Sequence, residues 1–453
     1  MSTRAAIILA AGQGTRMKSA RAKVMHAVAG RPILGHVIAA VRAAGVSRIV
    51  VVTAPGADEV RTYAAAEGAE SVIQNVQLGT GHAAACASSV LGDFAGVLVV
   101  AYGDMPLVTP DTFERSFAAR EKAGMAIVAF RSPSHAYGRV IVDRDGMLAR
   151  IVEFKDASDD ERKVDLCNAG IMAAAAKNFF RWAAALKNEN AQAEYYLTDV
   201  PTLAKTDHVA CAVVEAGEAD MMGVNSRTEL ANAERAMQER LRTRALDAGV
   251  GMIAPETVFL SYDTVLEADV QVGPYVVFAP GVTVRSGAEI KAFSHLEGAE
   301  VGAHALVGPY ARLRPGAIIE DDVHIGNFVE VKKARIEKGA KANHLTYIGD
   351  ARVGPGANIG AGTITCNYDG FDKHFTDIGA GAFIGSNSAL VAPVRVGDGV
   401  YIGAGSVITR GVGENALAVT RAEQKELPGW AEKFRSRKRA EKAAKKKSQG
   451  DGK

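Results

Sequence analysis

Two short segments near the start of the chain carry residue types that suit phosphate and cation binding. An apolar run, Ala5 to Ala10, leads into Gly12-Gln13-Gly14-Thr15-Arg16. Its glycines let backbone N–H groups approach a phosphate closely, and Arg16 adds a planar, permanently charged donor group. Met17 stands where a dinucleotide fingerprint needs its third glycine, and no G-K-[ST] follows. The loop therefore predicts phosphate binding that is neither of the Rossmann dinucleotide kind nor of the Walker kind.

The second segment places a carboxylate directly after another apolar run. Gly96 to Val100 is a predicted strand, and Tyr102-Gly103-Asp104 follows it. A carboxylate at the carboxyl end of a parallel strand is well placed for a hard divalent cation such as Mg²⁺. The alternative is that Asp104 caps the segment that starts at Pro110, but Asp111 suits that purpose better.

The elements that must position these residues alternate between helical and strand patterns. Pro32 to Ala44 reads as a helix, Arg48 to Val52 as a strand, and Ala5 to Ala10 as a strand buried on both faces. This alternation predicts an α/β, Rossmann-like domain with a central sheet, whose ligands bind at the carboxyl ends of the strands. Ser226-Arg227-Thr228-Glu229 is a capping box, which predicts a helix that reaches about Gly249.

From Val272 to Ile408 an aliphatic or aromatic residue returns every six positions. A period of six fits neither a helix nor a coiled coil, and it predicts a solenoid of short parallel strands. The alternative, a β-sandwich, would alternate at period two. The three phases are Val272, Phe278, Val284, Ile290 and Leu296; Val301, Val307, Leu313, Ile319, Ile325 and Val331; and Ile378, Ile384, Leu390, Val396, Ile402 and Ile408.

Polar segments interrupt this rhythm. A scaffold that served only to assemble subunits would not need them, although that alternative stays open. They supply cationic, imidazole and amide groups, and they are Arg312 to Gly316, Val331 to Ala334, Asn343 to Tyr347, and the insertion Thr365 to Lys373.

Composition sets wider bounds. The formal net charge of the 453 residues is +2, but residues 433–453 hold ten Lys or Arg against Glu441 and Asp451, so this tail is +8 and the remainder is −6. Such a tail is typical of a solvated helix end, and only sometimes of an arm that binds anions. The four cysteines show no paired spacing, and no apolar run is long enough to span a membrane. We expect a cytoplasmic protein that does not bind nucleic acid.

Longer matches point to a family. L-A-A-G-x-G-T-R-M followed by Lys23 resembles the signature of the sugar-1-phosphate nucleotidylyltransferases, although Ala22 stands where most members have proline. Q-L-G-T-G-H-A, P-Y-A-R-L-R-P-G, K-K-A-R, H-L-T-Y-I-G-D and G-A-G-T-I-T-C-N-Y-D-G extend the likeness over the whole chain. The chain resembles the bacterial bifunctional uridylyltransferase and acetyltransferase family of UDP-N-acetylglucosamine synthesis.

The resemblance implies a nucleotidyltransferase domain, a linker helix and a left-handed parallel β-helix, at residues 1–225, 226–250 and 251–453. It implies Mg²⁺, acetyl-CoA and UTP, together with glucosamine 1-phosphate, N-acetylglucosamine 1-phosphate and a homotrimer. It assigns nucleotide and sugar-nucleotide binding to Leu9, Ala10, Ala11, Gly12, Arg16, Lys23, Gln74, Gly79, Thr80, Tyr102, Gly103, Asp104, Gly138, Glu153, Asn168 and Asn225, with Asp104 and Asn225 as metal ligands.

For the second activity the resemblance makes His344 the general base. Physically, an amine must lose a proton as it attacks a thioester, and a histidine titrates in the right range. The alternative is that His344 is a buried histidine of the core. Amino-sugar phosphate binding is assigned to Arg314, Lys332, Tyr347 and Asn358, and acetyl-CoA binding to Ala361, Asn367, Tyr368, Ser386, Ala404 and Arg421.

Three functions therefore stay open from the sequence. The leading hypothesis is an enzyme with two sites, which acetylates glucosamine 1-phosphate and then uridylylates the product. The second is a nucleotidyltransferase whose β-helix only assembles or regulates it. The third is a sugar-nucleotide-binding scaffold without catalysis, in which Arg16, Lys23 and Asp104 would be dispensable for turnover.

Overall fold

The computed structural model describes residues 3–133, 137–190 and 192–450. It divides into two compact units, residues 1–300 and 301–453. Asp451 and Lys453 of the basic tail lie outside the described residues.

The first unit begins with an α/β domain. Its strands are β1 (Arg4–Ala10), β2 (Ala27–Val28), β3 (Arg31–Pro32), β4 (Arg48–Thr53), β5 (Glu70–Ile73), β6 (Val97–Tyr102), β7 (Gly124–Arg131), β8 (Arg139–Val142), β9 (Leu148–Val152), β10 (Leu166–Ala175) and β11 (Ala210–Glu215). Its helices are α1 (Ile33–Ala43), α2 (Asp58–Ala66), α3 (Thr80–Cys86), α4 (Ser88–Leu91), α5 (Pro110–Ala123), α6 (Asp159–Arg162), α7 (Ala176–Ala184) and α8 (Val200–Thr206).

The central sheet has the order β11-β7-β10-β6-β1-β4-β5. β1 pairs in parallel with β4 and β6, whereas β10 runs antiparallel to β6 and β7. The predicted strands at the start of the chain are confirmed, and so is the predicted helix, which is α1. Because β1 and β6 are parallel neighbours, the loops that follow them leave the sheet at the same edge.

Apolar residues of β1 face both sides of the sheet. Ala6 and Ile8 pack with α1, α2 and α5, whereas Ala5 and Ile7 pack with α3, α7 and α8. All four are fully buried. Successive side chains of this wholly apolar strand point to opposite faces of the sheet. Helices therefore cover both faces, and the domain has three layers.

Helix α9 (Arg227–Asp247) follows the α/β domain. Ser226 Oγ accepts a hydrogen bond from the backbone N–H of Glu229, and the Glu229 side chain accepts from the Ser226 backbone N–H. The predicted capping box is therefore present, and it satisfies donors that a helix N-terminus otherwise leaves unpaired.

Short parallel strands make up the rest of the fold. In the first unit they are β12 (Gly251–Met252), β13 (Val265–Leu266), β14 (Gln271–Val272), β15 (Val277–Phe278), β16 (Thr283–Val284), β17 (Glu289–Ile290) and β18 (His295–Leu296), and β19 (Ala299–Val301) follows. In the second unit they are β20 (Leu306–Val307), β21 (Arg312–Leu313), β22 (Ala317–Ile319), β23 (His324–Asn327), β24 (Glu330–Ile336), β25 (Lys341–His344), β26 (Tyr347–Val353), β27 (Asn358–Ile359), β28 (Ile364–Cys366), β29 (Thr376–Ile378), β30 (Phe383–Ile384), β31 (Ala389–Val391), β32 (Val394–Val396), β33 (Tyr401–Ile402), β34 (Val407–Ile408) and β35 (Leu417–Ala418).

Within each unit, these short strands pair in parallel with strands of the neighbouring coil. Val272 lies beside Ile290 in the first unit, and Asn327 lies beside His344 in the second. Every aliphatic or aromatic residue of the three predicted phases is at most 2% exposed. Where coils meet, space is short: a Cβ added to Gly326 would lie 1.9 Å from the Asn343 carbonyl oxygen. The predicted solenoid is confirmed.

The last described element is helix α10 (Trp430–Gly450), which carries most of the basic tail. Its residues from Trp430 to Ala444 are exposed. Trp430 and Phe434 stack on each other at 5.1 Å, and Arg437 and Lys438 lie over the Phe434 ring. Within the described residues, no helix is both long enough and apolar enough to cross a membrane.

Two isoleucines of the first unit test the solenoid core. Ile290 is fully buried, whereas Ile253 is 85% exposed. Ile290→Ala should lower the free energy of unfolding by about 2–5 kcal/mol, because it leaves a cavity in a column of stacked side chains. Ile253→Ala should change it by less than about 0.5 kcal/mol. Urea unfolding followed by circular dichroism gives both values, and equal effects would contradict the assignment of Ile290 to the core.

Candidate functional site

The strongest candidate site lies at the carboxyl ends of β1 and β6. A cavity of about 360 Å³ opens there. Ten of the residues predicted for nucleotide binding line it, namely Leu9, Ala10, Ala11, Gly12, Lys23, Gln74, Gly79, Thr80, Tyr102 and Asp104. Val24, Gln77, Ala83 and Glu194 complete the lining. Segments that are distant in sequence are thus brought together at one edge of the sheet.

Lys23 lies at the centre of the polar contacts in this cavity. Its Nζ donates to Asp104 Oδ2 at 2.5 Å and to Asn225 Oδ1 at 2.8 Å. Both side chains of the Lys23–Asp104 ion pair are largely buried, at 11% and 20% exposure. One carboxylate oxygen and one amide oxygen therefore point at a single position, which the ammonium group occupies.

Backbone contacts bring the two strand ends close to each other. The Gly103 N–H donates to the Leu9 carbonyl oxygen at 2.9 Å. On the other side of Tyr102, Gly170 has φ of +73°, and an added Cβ would lie 1.9 Å from the Tyr102 ring. Burial raises the pKa of Tyr102, so this ring stays a neutral phenol at the floor of the cavity.

Gln74, Gly79 and Thr80 form one wall. Gln74 is 3% exposed, and its Nε2 lies 3.1 Å from the Gly79 carbonyl oxygen and 3.0 Å from His82 Nδ1. Thr80 Oγ1 accepts from the Leu197 N–H at 3.1 Å. His82 thus helps to orient the Gln74 side chain.

Three of the residues predicted for sugar-nucleotide binding, Gly138, Glu153 and Asn168, lie outside the lining of this cavity but close to each other. The Asn168 N–H donates to the Gly138 carbonyl oxygen at 2.8 Å. An added Cβ on Gly138 would lie 3.4 Å from Glu153 Oε2, and Thr198 Oγ1 donates to Glu153 Oε1 at 3.1 Å. Asn168 Oδ1 accepts from the Gly170 N–H, which links this group to Tyr102.

Arg16 makes fewer contacts than its place in the phosphate-loop motif suggests. It lies in the 3₁₀ turn Thr15–Met17, is exposed, and has no ion-pair partner within the described part of the chain. Its guanidinium is therefore available to an incoming anion at the rim of the loop.

A second group of predicted residues lies on the β-helix of the second unit. His344 is exposed, which excludes the alternative of a buried core histidine. Its Nδ1 lies 2.8 Å from Asn327 Oδ1, the residue beside it on β23. An amide oxygen can only accept, so this contact suits the His344 tautomer with its proton on Nδ1, which leaves Nε2 as the acceptor nitrogen.

Lys332 and Tyr347, two of the residues predicted to bind the amino-sugar phosphate, lie on β24 and β26, which pair with each other, whereas β25 carries His344 in another sheet. Arg314 Nη1 donates to Glu330 Oε1 at 2.8 Å, and Glu330 lies beside Tyr347 in the register of β24 and β26. Lys332 is half-buried on β24 and forms no ion pair with any described residue. Asn358 is half-buried beside Lys341, on the strand next to that of His344.

Asn367 and Tyr368 begin the insertion between β28 and β29. Asn367 is 5% exposed, and its Nδ2 donates to Asp350 Oδ2 at 2.5 Å and to the Tyr347 hydroxyl at 3.4 Å. The structure thus places the Asn367 amide against Tyr347, which is predicted to bind the amino-sugar phosphate. Tyr368 is exposed, with Lys373 Nζ 3.9 Å from its ring centroid.

Ala361, Ser386 and Ala404, three of the residues predicted for acetyl-CoA, lie at one corner of successive coils. The Asn387 N–H donates to the Ala361 carbonyl oxygen at 2.7 Å, and the Gly405 N–H donates to the Ser386 carbonyl oxygen at 2.8 Å. Next to Ala361, the Gly362 N–H donates to the His344 carbonyl oxygen. Ala404 and Arg421 are exposed further along the chain, and Arg421 Cδ lies 3.9 Å from the Cβ position of Gly405.

Comparison with known proteins places this geometry in a family. Residues 6–174 match the MobA-like NTP transferase domain, and residues 298–333 and 375–410 match the bacterial transferase hexapeptide model of six repeats. The bifunctional protein GlmU of Paramagnetospirillum magneticum is 52% identical over 97% of this chain and 98% of its own. That of Acidiphilium cryptum is 56% identical over 96% of this chain and 98% of its own. The chain belongs to the GlmU family.

Membership of the GlmU family accounts for both parts of the fold. The α/β domain is a Rossmann-like NTP transferase domain, and the solenoid is the left-handed β-helix of the hexapeptide transferases. The bifunctional protein GlmU of Agrobacterium fabrum is 50% identical to this chain over 98% of each chain.

Sequence reasoning missed several residues of the two groups. Gln77 donates through Nε2 to the Ala11 carbonyl oxygen at 2.5 Å, and Asn327 contacts His344. Both left a signal. Gln77 is the first residue of the Q-L-G-T-G-H-A segment, and Asn327 lies one coil before His344. Glu330 and Asp350 were also missed, because their contacts depend on the register of the strands.

One departure from the nucleotidylyltransferase pattern has little effect on the backbone. Ala22, where proline is common, has φ of −54°, which is close to the value that a proline ring imposes. The segment before Lys23 therefore has a backbone conformation that proline would also allow.

Glu153 gives this group a dependence on pH. Burial raises its pKa, and Asp156 and Asp199 add to the effect. The folded chain thus holds this proton more tightly than the unfolded chain, so the stability that it contributes is lost as the pH rises through the raised pKa. Glu153→Gln cannot ionise, and its free energy of unfolding relative to the unsubstituted chain should increase with pH in that window. Thermal unfolding at a series of pH values tests this, and a difference that does not change with pH would contradict it.

Proposed function

We propose that this chain catalyses two successive transfers at two separate sites. The β-helix transfers an acetyl group from acetyl-CoA to the amine of glucosamine 1-phosphate. The α/β domain transfers UMP from UTP to the resulting N-acetylglucosamine 1-phosphate, with release of pyrophosphate. The observation that carries the proposal is that the residues predicted from the family motifs lie around two chemically different pairs. One pair is Lys23 with Asp104, and the other is His344 with Asn327.

Acetyl transfer needs a base at the amine. His344 Nε2 takes a proton from the nitrogen as the C–N bond forms, and the C–S bond of the thioester then breaks to release the CoA thiolate. Asn327 keeps the His344 ring in the tautomer that this step requires. Arg314 and Lys332 hold the sugar phosphate, and Tyr347 and Asn358 orient the ring. Backbone N–H groups near Ala361 can receive the developing oxyanion.

The acetyl-CoA column is a further part of this proposal. Ala361, Ser386, Ala404 and Arg421 follow one corner of the coils, which suits an extended ligand with an anionic end near Arg421. Asn367 and Tyr368 shape the approach to the amine from the insertion.

Uridylyl transfer needs no covalent intermediate. An oxygen of the sugar phosphate attacks the α-phosphorus of UTP in line, and the bond to the bridging oxygen of pyrophosphate breaks. Because the nucleophile is already an anion, the chain lowers the barrier by positioning and charge neutralisation. Gly12 and its neighbours hold the phosphates, Lys23 and Arg16 balance their charge, and Gln74 reads the uracil edge. Gly138, Glu153 and Asn168 hold the acetamido sugar.

The donor set of the nucleotide site fits Mg²⁺. Asp104 Oδ2 and Asn225 Oδ1 already converge on one cation, the Lys23 ammonium group, and oxygen ligands are those that Mg²⁺ prefers. Asp104 and Asn225 would hold the ion, which neutralises phosphate charge when it is bound. With Asp104 and Asn225 engaged by the ion, the Lys23 ammonium group would be free to pair with the phosphates.

The proposal extends to organisation. Residues 1–225 carry uridylyl transfer, residues 226–250 form the linker, and residues 251–453 carry acetyl transfer. A homotrimer suits a β-helix whose exposed columns can meet a second copy. A cytoplasmic location suits the use of acetyl-CoA and UTP, and the product serves cell-wall synthesis.

His344→Ala separates the two activities. Loss of the general base should lower thiol release from acetyl-CoA and glucosamine 1-phosphate by about 10²- to 10⁴-fold. Pyrophosphate release from UTP and N-acetylglucosamine 1-phosphate should stay within twofold, since His344 lies in the other unit. Parallel assays of both products on one preparation check this. If the unsubstituted chain releases pyrophosphate but no thiol, the β-helix is structural and the acetyltransferase proposal is wrong.

Asn327 gives a finer test of the acetyl site. Asn327→Ala removes the acceptor that fixes the His344 tautomer, and kcat for thiol release should fall by roughly tenfold with KM little changed. Asn327→Asp keeps an oxygen at the same place and should retain more activity than the alanine variant. Equal losses in the two variants would show that the tautomer is not set by Asn327.

A further inference from the structure

The first turn of α9 contacts the end of the phosphate loop at Met17 and the segment that follows Lys23 at His26. Arg227, at the first position of the helix, makes these contacts but does not line the cavity. Its role is assigned neither by the family motifs nor by the reaction proposed above.

One contact of Arg227 anchors the end of the loop. Its Nε donates to the Met17 carbonyl oxygen at 3.2 Å. The Met17 side chain is 1% exposed and packs in a small apolar cluster with Val224 and Ala233, which flank the start of α9 in sequence. The last residue of the 3₁₀ turn Thr15–Met17 is therefore held to α9 through its backbone and through its side chain.

Another contact holds the segment that follows Lys23. Arg227 Nη1 lies 3.3 Å from His26 Nδ1, and His26 is 8% exposed. Burial lowers the pKa of His26, and the charges of Arg227 and Arg21 lower it further, against the opposite effect of Glu59. A neutral His26 offers Nδ1 as an acceptor to the guanidinium, which can only donate.

The same turn also fixes Asn225. Glu229 Oε2 accepts from the Asn225 N–H at 2.5 Å and from the Ser226 N–H at 3.1 Å. The Asn225 side chain in turn accepts from Lys23. Helix α9 thus joins three parts of the nucleotide site: the loop at Met17, the lysine segment at His26, and the metal-ligand candidate Asn225.

We propose that Arg227 is a positioning residue for uridylyl transfer, which holds the phosphate loop and the Lys23 segment in fixed relation to Asn225. This inference rests on the proposed uridylyltransferase function. The planar guanidinium carries several N–H donors that point in different directions, so it can bond to Met17 and His26 together. A lysine would offer one point charge. Small displacements of the phosphate-binding groups cost rate because the reaction depends on alignment.

The test compares three variants of the full-length chain. Arg227→Met removes the charge and the donors, Arg227→Lys keeps the charge, and Arg235→Met is the matched control. Arg235 lies on the same helix and bonds only to Asn232 within the described residues. For each variant, kcat and KM for UTP are measured by pyrophosphate release, and thiol release is followed on the same preparation.

We expect kcat for pyrophosphate release to fall by about 10- to 100-fold in Arg227→Met, with KM for UTP changed by less than about threefold. Arg227→Lys should recover part of the loss. Arg235→Met should match the unsubstituted chain, and thiol release should be the same in all four proteins.

Three outcomes would overturn the inference. The first is an unchanged kcat in Arg227→Met. The second is a rise in KM for UTP with kcat retained, which would make Arg227 a substrate-binding residue. The third is an equal fall in thiol release, which would show that Arg227 acts on folding in general. If the unsubstituted chain itself releases no pyrophosphate, the proposed uridylyl transfer fails, and the inference fails with it.

Discussion

Parallel strand pairing in a fixed register is the constraint on which both groups of functional residues depend. In the α/β domain it brings the ends of β1 and β6 to one edge of the sheet, where Leu9 and Gly103 are hydrogen-bonded. In the β-helix of the second unit it returns the chain to the same corner after one coil, which places Asn327 beside His344. Side chains that are far apart in sequence become neighbours because the backbone pairing leaves them no other position.

The two scaffolds solve different chemical problems. Phosphoryl chemistry needs converging charge, and the α/β domain supplies it where Lys23 meets the oxygens of Asp104 and Asn225. Acyl transfer needs an oriented base, and in the proposed mechanism the exposed His344, in contact with Asn327 on the β-helix, is that base. The loops of an open sheet suit the first requirement, since they end in one crevice, and the straight corner of a solenoid suits the second.

Much of this architecture could be predicted from sequence because its signals are periodic or local. The six-residue period predicted the buried column, including Ile290 and Ile325, and the Ser226 capping box predicted the start of α9. The contacts of Arg227 with Met17 and His26 could not be predicted, because they join segments at opposite ends of the α/β domain sequence and depend on how α9 packs. The local sequence also does not indicate that β10 runs antiparallel to its neighbours in a largely parallel sheet.

The most direct test of the two-site account is a crystal structure of the protein grown with UDP-N-acetylglucosamine, Mn²⁺ and coenzyme A. The account predicts the nucleotide along Leu9 to Gly12, an anomalous peak for manganese between Asp104 and Asn225 with the Lys23 ammonium group displaced, and coenzyme A along Ala361, Ser386 and Ala404. Manganese bound elsewhere, or coenzyme A away from the corner beside His344, would contradict it.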